Sequence, residues 1–254
     1  MNLRMLVFVT FLSLVTVLHS MMLSTGQKDL VEYLVQYRYL QPNATDAQLQ
    51  RAIRFFQQKF NLTVTGIFTQ ETRNFMNKSR CGFPDILPEE YSLYDIKWDK
   101  KDLTFKIESF TNQLTQDQQR TEFKRAFDEW ERQTQLTFTE VSGTTEANFK
   151  INFYKKAHND GSDFDGPSGV LAHAFYPRTG DIHFDDDEDW GVNVSSKTDL
   201  YGVMLHEIGH ALGIEHSDDS SAVMYPMYRG YVKDLKLHQD DIAGIQELYG
   251  KYQS

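Results

Sequence analysis

Apolar residues recur with helical spacing in the part of the chain that follows residue 27. Leu49, Ile53 and Phe56 lie three or four positions apart, so a helix would place them on one face. Thr69 stands where an N-cap is expected, directly before another such segment. The pattern predicts helices at residues 28–37, 46–57 and 69–76. Three short helices with apolar faces indicate a small helical domain.

Further along, the period of the apolar positions changes. Residues 103–107 alternate between apolar and polar types as a half-buried strand does. Phe123, Phe127 and Trp130 return to three-four spacing and predict an amphipathic helix. The elements expected here are strands at residues 103–107, 136–139, 149–153 and 170–175 and helices at residues 115–133, 198–213 and 238–249. Strands that pack against separate helices are typical of an α+β domain.

The N-terminus follows neither pattern. Arg4 precedes a mostly apolar run at residues 5–18, which is shorter than the ~20 residues that cross a bilayer and fits the core of a signal peptide. We expect a signal peptide at residues 1–20, with a signal anchor as the alternative. No later stretch is long and apolar enough to predict a membrane span. The chain is therefore expected to be soluble and secreted, in the extracellular space or matrix.

Charge and cysteine content narrow the choice of partners. The 254 residues carry a formal net charge of −10, which argues against nucleic acid and anionic membranes and suits a protein that holds several cations. One cysteine, Cys81, allows no internal disulfide. The sequence leaves three roles open for it: pairing with another chain, a buried inert thiol, or a metal ligand.

One stretch carries recognisable chemistry. Residues 206–216 read H-E-x-x-H-x-x-G-x-x-H. On a helix, His206 and His210 share a face and can bind one zinc ion, and Glu207 lies beside them as a general base. Gly213 can end the helix in a left-handed turn that brings His216 back as a third ligand, which leaves one position open for water. A surface helix that carries histidines by chance is the alternative.

Three motifs in order make the chain resemble the matrix metalloproteinases. They are the zinc motif, Met224 as the methionine turn below the metal, and residues 80–85, R-C-G-F-P-D, which keep the family's activation motif except for Ser79 in place of its leading proline. The resemblance implies a metzincin catalytic domain with a mixed five-stranded twisted sheet and three helices, behind a three-helix prodomain. The expected layout is the matrilysin-like minimal form: signal peptide 1–20, prodomain 21–90 with the switch segment 80–85, and catalytic domain 91–254.

The resemblance also assigns metal sites. Cys81 would ligate the catalytic zinc in the zymogen and keep it latent, and Arg80 and Asp85 would hold the segment by an ion pair. Ser79, which lacks the rigidity of proline, is expected to make latency leakier. A second, structural zinc would be bound by His158, Asp160, His173 and His183, a full tetrahedral set. Two zinc ions are expected in all.

Calcium is expected as well. Five acidic residues occupy positions 185–189, which by themselves could form a solvated loop. By resemblance, a structural calcium would take carboxylates from Asp165, Asp185 and Glu188 and backbone oxygens from Gly166, Ser168 and Val170. A second calcium would have Asp181 but finds Asn148 where the family has an upstream acid.

These expectations combine into one function. We expect a secreted zinc endopeptidase whose substrates run extended and antiparallel along the 170–175 strand, near Leu171 and Ala172. The remaining pocket residues are expected to be Gly202, Pro226, Met227 and Tyr228, with glycine at 202 predicting a deep pocket that accepts leucine or methionine. Expected partners are extracellular matrix proteins as substrates and proteinaceous metalloproteinase inhibitors. The protein is expected to be a monomer. A catalytically dead binding protein and another metzincin family are the competing readings.

Overall fold

The computed structural model describes residues 25–87 and 96–252. The expected signal peptide and the expected junction at residues 90–91 lie outside these residues. The described chain forms two compact units, one ending at Asn77 and the other beginning at Lys78. In the described residues no helix is sufficiently long and apolar to cross a membrane.

The first unit contains the three predicted helices, which are α1 (Thr25–Gln36), α2 (Asp46–Lys59) and α3 (Gln70–Met76). Thr45 caps α2 through a capping box with Gln48, and Thr69 caps α3 by accepting from the Thr72 backbone N–H. The apolar faces meet in a core that includes Leu34 and Phe56, both fully buried. The three-helix expectation is confirmed, with boundaries moved by one to three residues.

A mixed sheet dominates the second unit. In the described residues its strands are β1 (Arg80–Cys81), β2 (Asp102–Ile107), β3 (Thr137–Glu140), β4 (Phe149–Tyr154), β5 (Val170–Ala174) and β6 (Asp181–Asp185). They lie in the order β1-β5-β6-β4-β2-β3, and only the β5–β6 pair is antiparallel. The α+β expectation with a mixed sheet is confirmed. A sixth strand joins the expected five because the switch segment itself pairs with the edge strand β5.

Two strands of the sheet, β1 and β6, were not predicted. β6 ends in the acidic run and its two outer residues are aspartates, although its sequence, D-I-H-F-D, alternates between polar and apolar residues. In the structure Ile182 and Phe184 are fully buried against neighbouring strands on both sides. Pairing with β4 and β5 overrides the local polar character of this segment. A further two-stranded sheet joins β7 (Trp190–Gly191) to β8 (Thr198–Asp199).

Within the described part of the second unit, the helices are α4 (Gln116–Glu131), α5 (Leu200–Ala211) and α6 (Gln239–Tyr249). The predicted stripe of α4 packs inward, where Phe127 stacks on Phe105 of β2 with ring centroids 4.3 Å apart. The indole N–H of Trp130 donates to the Leu205 carbonyl at 2.9 Å. These contacts fix α5 between α4 and the sheet, so its polar residues are held inside the protein.

Candidate functional site

Helix α5 sets the position of the candidate site. Asp199 caps its N-terminus by accepting from the Gly202 backbone N–H at 3.0 Å. The helix ends near Gly213, whose φ is +100°, and a Cβ at this position would lie 2.1 Å from the Ile96 carbonyl oxygen. Only glycine fits such a turn. The chain therefore reverses immediately after the helix and returns His216 toward His206 and His210.

The structure brings four of the predicted residues together. The ligand atoms of Cys81, His206, His210 and His216 all lie within 4.8 Å of one another. His206 Nδ1 is 2.7 Å from the Val223 carbonyl, and His210 Nδ1 is 2.8 Å from the Ile214 carbonyl. A carbonyl can only accept, so each Nδ1 carries the proton and each Nε2 keeps its lone pair.

The chemistry of this cluster suits a zinc ion. The Nε2 atoms of His206 and His210 are buried, with no hydrogen-bond partner among the residues that the structure describes. Burial, reinforced by the nearby His216, lowers the pKa of His206 to about 3, and the pKa of His210 is lowered for the same reasons. Neutral imidazoles with free lone pairs, joined by a thiol, form a donor set that zinc prefers.

Met224 lies below this cluster, in contact with α5. A Cβ on Gly209 would come within 2.2 Å of the Met224 sulfur, so the helix must carry glycine there. Asp241, at the start of α6, accepts from the backbone N–H groups of Val223 and Met224 at 2.8 and 3.0 Å. Sequence reasoning missed both Gly209 and Asp241. A lone glycine in a helix was a faint signal for the first, and nothing local marked the second.

Glu207 lies beside the thiol. It is 1% exposed, and burial raises its pKa to about 8, while a hydrogen bond with Cys81 counteracts part of this rise. Burial and the Glu207 charge raise the pKa of the Cys81 thiol, and the Phe83 N–H opposes this by donating to its sulfur at 3.3 Å. The carboxyl and the thiol thus share one desolvated space in the structure.

The segment that carries Cys81 lies between β5 and residues 226–228. On one side, the Arg80 and Gly82 N–H groups donate to the Gly169 and Ala172 carbonyls, each at 2.8 Å. The opposite side is bound by backbone hydrogen bonds from Cys81 N–H to the Pro226 carbonyl at 3.0 Å and from Tyr228 N–H to the Ser79 carbonyl at 2.9 Å. The segment runs parallel to β5.

Side chains reinforce this placement. The Arg80 guanidinium donates to the Asp85 carboxylate through Nη2 at 2.5 Å and Nη1 at 3.1 Å, in the expected ion pair. Phe83 stacks on the His210 ring with centroids 4.2 Å apart. The Phe83 contact was not anticipated, because the activation motif leaves its position unspecified.

A cavity opens next to the cluster, and its walls include most of the predicted pocket residues. Those present among its lining residues are Leu171, Gly202, Pro226, Met227 and Tyr228. Ala172 is occupied instead by the backbone hydrogen bond from Gly82. A Cβ on Gly202 would meet Leu235 Cδ2 at 3.5 Å and Asp199 Oδ2 at 3.3 Å. Leu235 therefore lies in the direction in which a side chain at position 202 would point.

The second predicted histidine group also converges. Oδ2 of Asp160 is 2.8 Å from Nε2 of His158, from Nε2 of His173 and from Nδ1 of His183. Burial and the neighbouring His173 lower the pKa of His183 to about 4, so its ring is neutral. The four ligand atoms, three ring nitrogens and one carboxylate oxygen, all lie within 4.8 Å of one another. This set suits a tetrahedrally coordinated metal ion.

The acidic residues gather nearby. Burial raises the pKa of Asp165, Asp185 and Glu188, the last to about 7, and Asp185 and Asp165 add to the effect on Glu188. Oε1 of Glu188 is buried without a hydrogen-bond partner among the described residues. A cation would relieve this mutual repulsion, and oxygen donors are what calcium prefers. Of the predicted backbone donors, Gly166 and Ser168 belong to the loop that precedes β5, and Val170 is the first residue of that strand.

The region expected for a second calcium has fewer available oxygen ligands. Oδ1 of Asp181 is buried without a hydrogen-bond partner among the described residues. The Asn148 side chain instead accepts from the Thr104 backbone N–H at 3.0 Å, so it is already engaged by β2.

Fold and site together define a metalloprotein built around a buried three-histidine centre below which a methionine turn lies. The chain belongs to the matrixin family, whose model matches residues 97–250. Residues 26–76 match a second model, described as a putative peptidoglycan binding domain. The family implies zinc, and the two histidine clusters are the candidate sites.

Individual relatives extend over both units. The chain is 42% identical over 223 residues to the hatching enzyme of Paracentrotus lividus, covering 86% of this chain and 38% of that protein. It is 41% identical over 233 residues to the interstitial collagenase of Bos taurus, with 88% and 49% covered, and 41% identical over 219 residues to the neutrophil collagenase of Homo sapiens, with 85% and 46% covered. The chain thus spans half or less of the length of these relatives.

Proposed function

We propose that this chain is the latent form of a secreted zinc endopeptidase. The observation that carries the proposal is the position of Cys81, which completes the three-histidine cluster and contacts Glu207. In this arrangement the thiol occupies the space that an attacking water and a substrate carbonyl would need. The same residues, without the segment around Cys81, leave three ligands and one open position.

Zinc held by His206, His210 and His216 would supply a Lewis acid that polarises the scissile carbonyl and acidifies the attacking water. Glu207 provides the proton transfers. Its carboxylate takes a proton from the attacking water as the new C–O bond forms and then gives a proton to the amine nitrogen as the C–N bond breaks.

Substrate binding is proposed along the edge strand β5. The Ala172 carbonyl, which accepts from Gly82 in the latent form, becomes available for a substrate N–H when the segment leaves. We propose that substrates run antiparallel to β5, opposite to the direction of the switch segment. The cavity beside Gly202 would accept an apolar side chain such as leucine or methionine, on the C-terminal side of the cleaved bond.

Activation would remove the prodomain, proposed as residues 21–90. Cleavage before Tyr91 would create an ammonium group that we propose pairs with Asp240. In the latent protein Asp240 accepts from the Ser217 hydroxyl at 2.6 Å and lies exposed, so it is accessible to a new partner. The four N-x-S/T sequons have exposed asparagines and suit a secreted chain, namely Asn43, Asn61, Asn77 and Asn193.

The other assignments belong to the same proposal. His158, Asp160, His173 and His183 would hold a structural zinc, and Asp165, Asp185 and Glu188 a structural calcium. Substrates would be extracellular proteins, because the relatives include enzymes named as collagenases and the net charge of −10 disfavours nucleic acid. Proteinaceous metalloproteinase inhibitors are proposed as further partners of a monomeric enzyme.

Cleavage of a quenched peptide with leucine after the scissile bond tests this function. The purified full chain should be silent, its Cys81→Ala variant active, and a zinc chelator should abolish the activity. Glu207→Ala added to Cys81→Ala serves as the matched control and should retain zinc but lose cleavage. Absence of cleavage by Cys81→Ala, and also by a chain from which the prodomain has been removed, would refute the peptidase assignment.

A further inference from the structure

The three histidines of the cluster differ in the group that lies next to the ring nitrogen Nδ1. His206 and His210 donate from Nδ1 to the carbonyls of Val223 and Ile214, which lie in the proposed catalytic domain. His216 Nδ1 instead lies 2.9 Å from Oδ1 of Asp85, inside the switch segment. Both side chains are fully buried, at 1% and 0% exposure, so water does not weaken this contact.

We propose that Asp85 is a positioning residue for the metal site: it orients His216, so that the switch segment holds the site through a ligand as well as through its thiol. A carboxylate that accepts from the outer nitrogen of a metal-binding imidazole fixes the tautomer and makes the inner nitrogen a stronger donor. This inference rests on the proposed zinc site and on the proposed removal of residues 21–90, but not on peptidase activity.

The Arg80 side chain makes it possible for a fully buried carboxylate, that of Asp85, to orient His216. A buried anion next to an imidazole would be costly alone, but the Arg80 guanidinium binds both Asp85 oxygens and is itself 1% exposed. The arrangement is therefore a buried chain of Arg80, Asp85 and His216. Loss of the segment on activation removes the carboxylate from His216, while the carbonyl partners of His206 and His210 stay. The latent protein should consequently bind its zinc more tightly than the mature one, beyond the effect of the thiol.

Zinc affinity of the full chain tests the role of Asp85 separately from the thiol. The background carries Cys81→Ala and Glu207→Ala, so neither the sulfur nor self-cleavage contributes. Asp85→Asn in this background should weaken zinc binding at the cluster about 10–100-fold, as loss of an outer partner does elsewhere. Affinity would be measured by competition with a chelator, and the His158 cluster, unchanged in both proteins, provides the internal reference.

Arg80→Met distinguishes orientation of His216 from simple charge. Asp85→Asn leaves the guanidinium buried without its counter-charge, and a positive charge near the cluster could itself repel zinc. The comparison is therefore repeated between Arg80→Met and Arg80→Met with Asp85→Asn. A similar loss of affinity in that pair supports the proposal. A loss seen only when Arg80 is present, or no loss in either pair, overturns it.

Nitrogen spectroscopy gives a readout that does not require the variants to fold. In a long-range ¹H–¹⁵N spectrum of the zinc-loaded background protein, His216 should carry its proton on Nδ1. That proton should resonate downfield of those on His206 and His210, because a carboxylate is a stronger acceptor than a carbonyl. An unprotonated Nδ1 on His216, or a proton shift equal to the other two, would contradict the proposed contact.

Discussion

At the scale of single residues, the spacing of the zinc motif made the cluster predictable, but the residues that support it were not. Helical spacing predicts His206 and His210 on one face with Glu207 beside them, and the structure brings the ligand atoms of the two histidines within 4.8 Å of that of His216. Asp241 could not be inferred, because it reaches the methionine turn only through tertiary packing of α6. The spacing of residues within the motif predicts the metal ligands. The residues that hold the surrounding backbone in place come from distant segments of the chain.

Gly213 offers a test of how strictly the turn depends on glycine. Gly213→Ala should destabilise the protein by at least about 2 kcal/mol, since its φ is +100° and the new Cβ would collide with the Ile96 carbonyl. Thermal unfolding and zinc content would both be measured, because a shifted turn also displaces His216. Gly244→Ala is the matched control: its nearest neighbour would lie 3.7 Å away, and alanine in helix α6 should be neutral or stabilising. Equal melting temperatures for the two variants would contradict the argument.

At the scale of elements, the helices and the strands β2 to β5 were predicted from the pattern of apolar residues, but β1, β6, β7 and β8 were not. β6 is bounded by aspartates, and its burial comes from two flanking strands. β1 spans two residues and exists only because β5 offers an unpaired edge. β1 is too short to show a periodic pattern, whereas β6 alternates between polar and apolar residues, a strand signal that its aspartates and the adjoining acidic run obscure.

Substitution of Gly82 tests how closely β1 packs against β5. A Cβ on this residue would lie 2.7 Å from Val170 Cγ1, so Gly82→Ala should push the segment away from the edge strand. Overpacking of about 1–3 kcal/mol would raise the population of the released state roughly 5- to 100-fold. The rate at which a thiol reagent labels Cys81 reports that population. Adding Val170→Ala should restore space and slow labelling again. Labelling that is fast in Gly82→Ala and stays fast in the double variant would point to another cause.

At the scale of the whole molecule, the sequence predicted a helical unit followed by an α+β unit and placed residues 78–87 in the prodomain, within residues 21–90. The structure groups them with the second unit, through the hydrogen bonds of β1. A domain boundary predicted from composition falls in a linker. The boundary of a compact unit is set instead by which residues contact one another. The expected prodomain thus ends beyond the point at which the first compact unit does.

The acidic group should make stability depend on pH when calcium is absent. Burial raises the pKa of Glu188 in the folded protein from its ordinary value of 4.5 to about 7, so the unfolded chain releases this proton more readily. Stability should therefore fall as pH rises from about 5 to about 8. Calcium should remove that fall, because it stabilises the ionised carboxylates.

Melting temperatures at pH 5.5 and 7.5, with zinc retained and calcium either omitted or added, would check this. The benefit of calcium should be larger at pH 7.5 by several degrees, on the order expected for a few kcal/mol. Glu188→Gln is the matched control and should lose both the pH dependence and most of the calcium effect. A calcium benefit equal at the two pH values would refute a site formed by these carboxylates.

The contact between Asp241 and the methionine turn has a consequence for the order of synthesis. A ribosome makes Cys81 well before the histidines of α5, and it makes Asp241 after all of them. A nascent chain that lacks α6 cannot secure the Val223 and Met224 backbone below the cluster. Cys81 is thus already present when the last support of the site is translated. Under the proposed latency, biosynthesis would include no stage in which the centre is complete without this thiol.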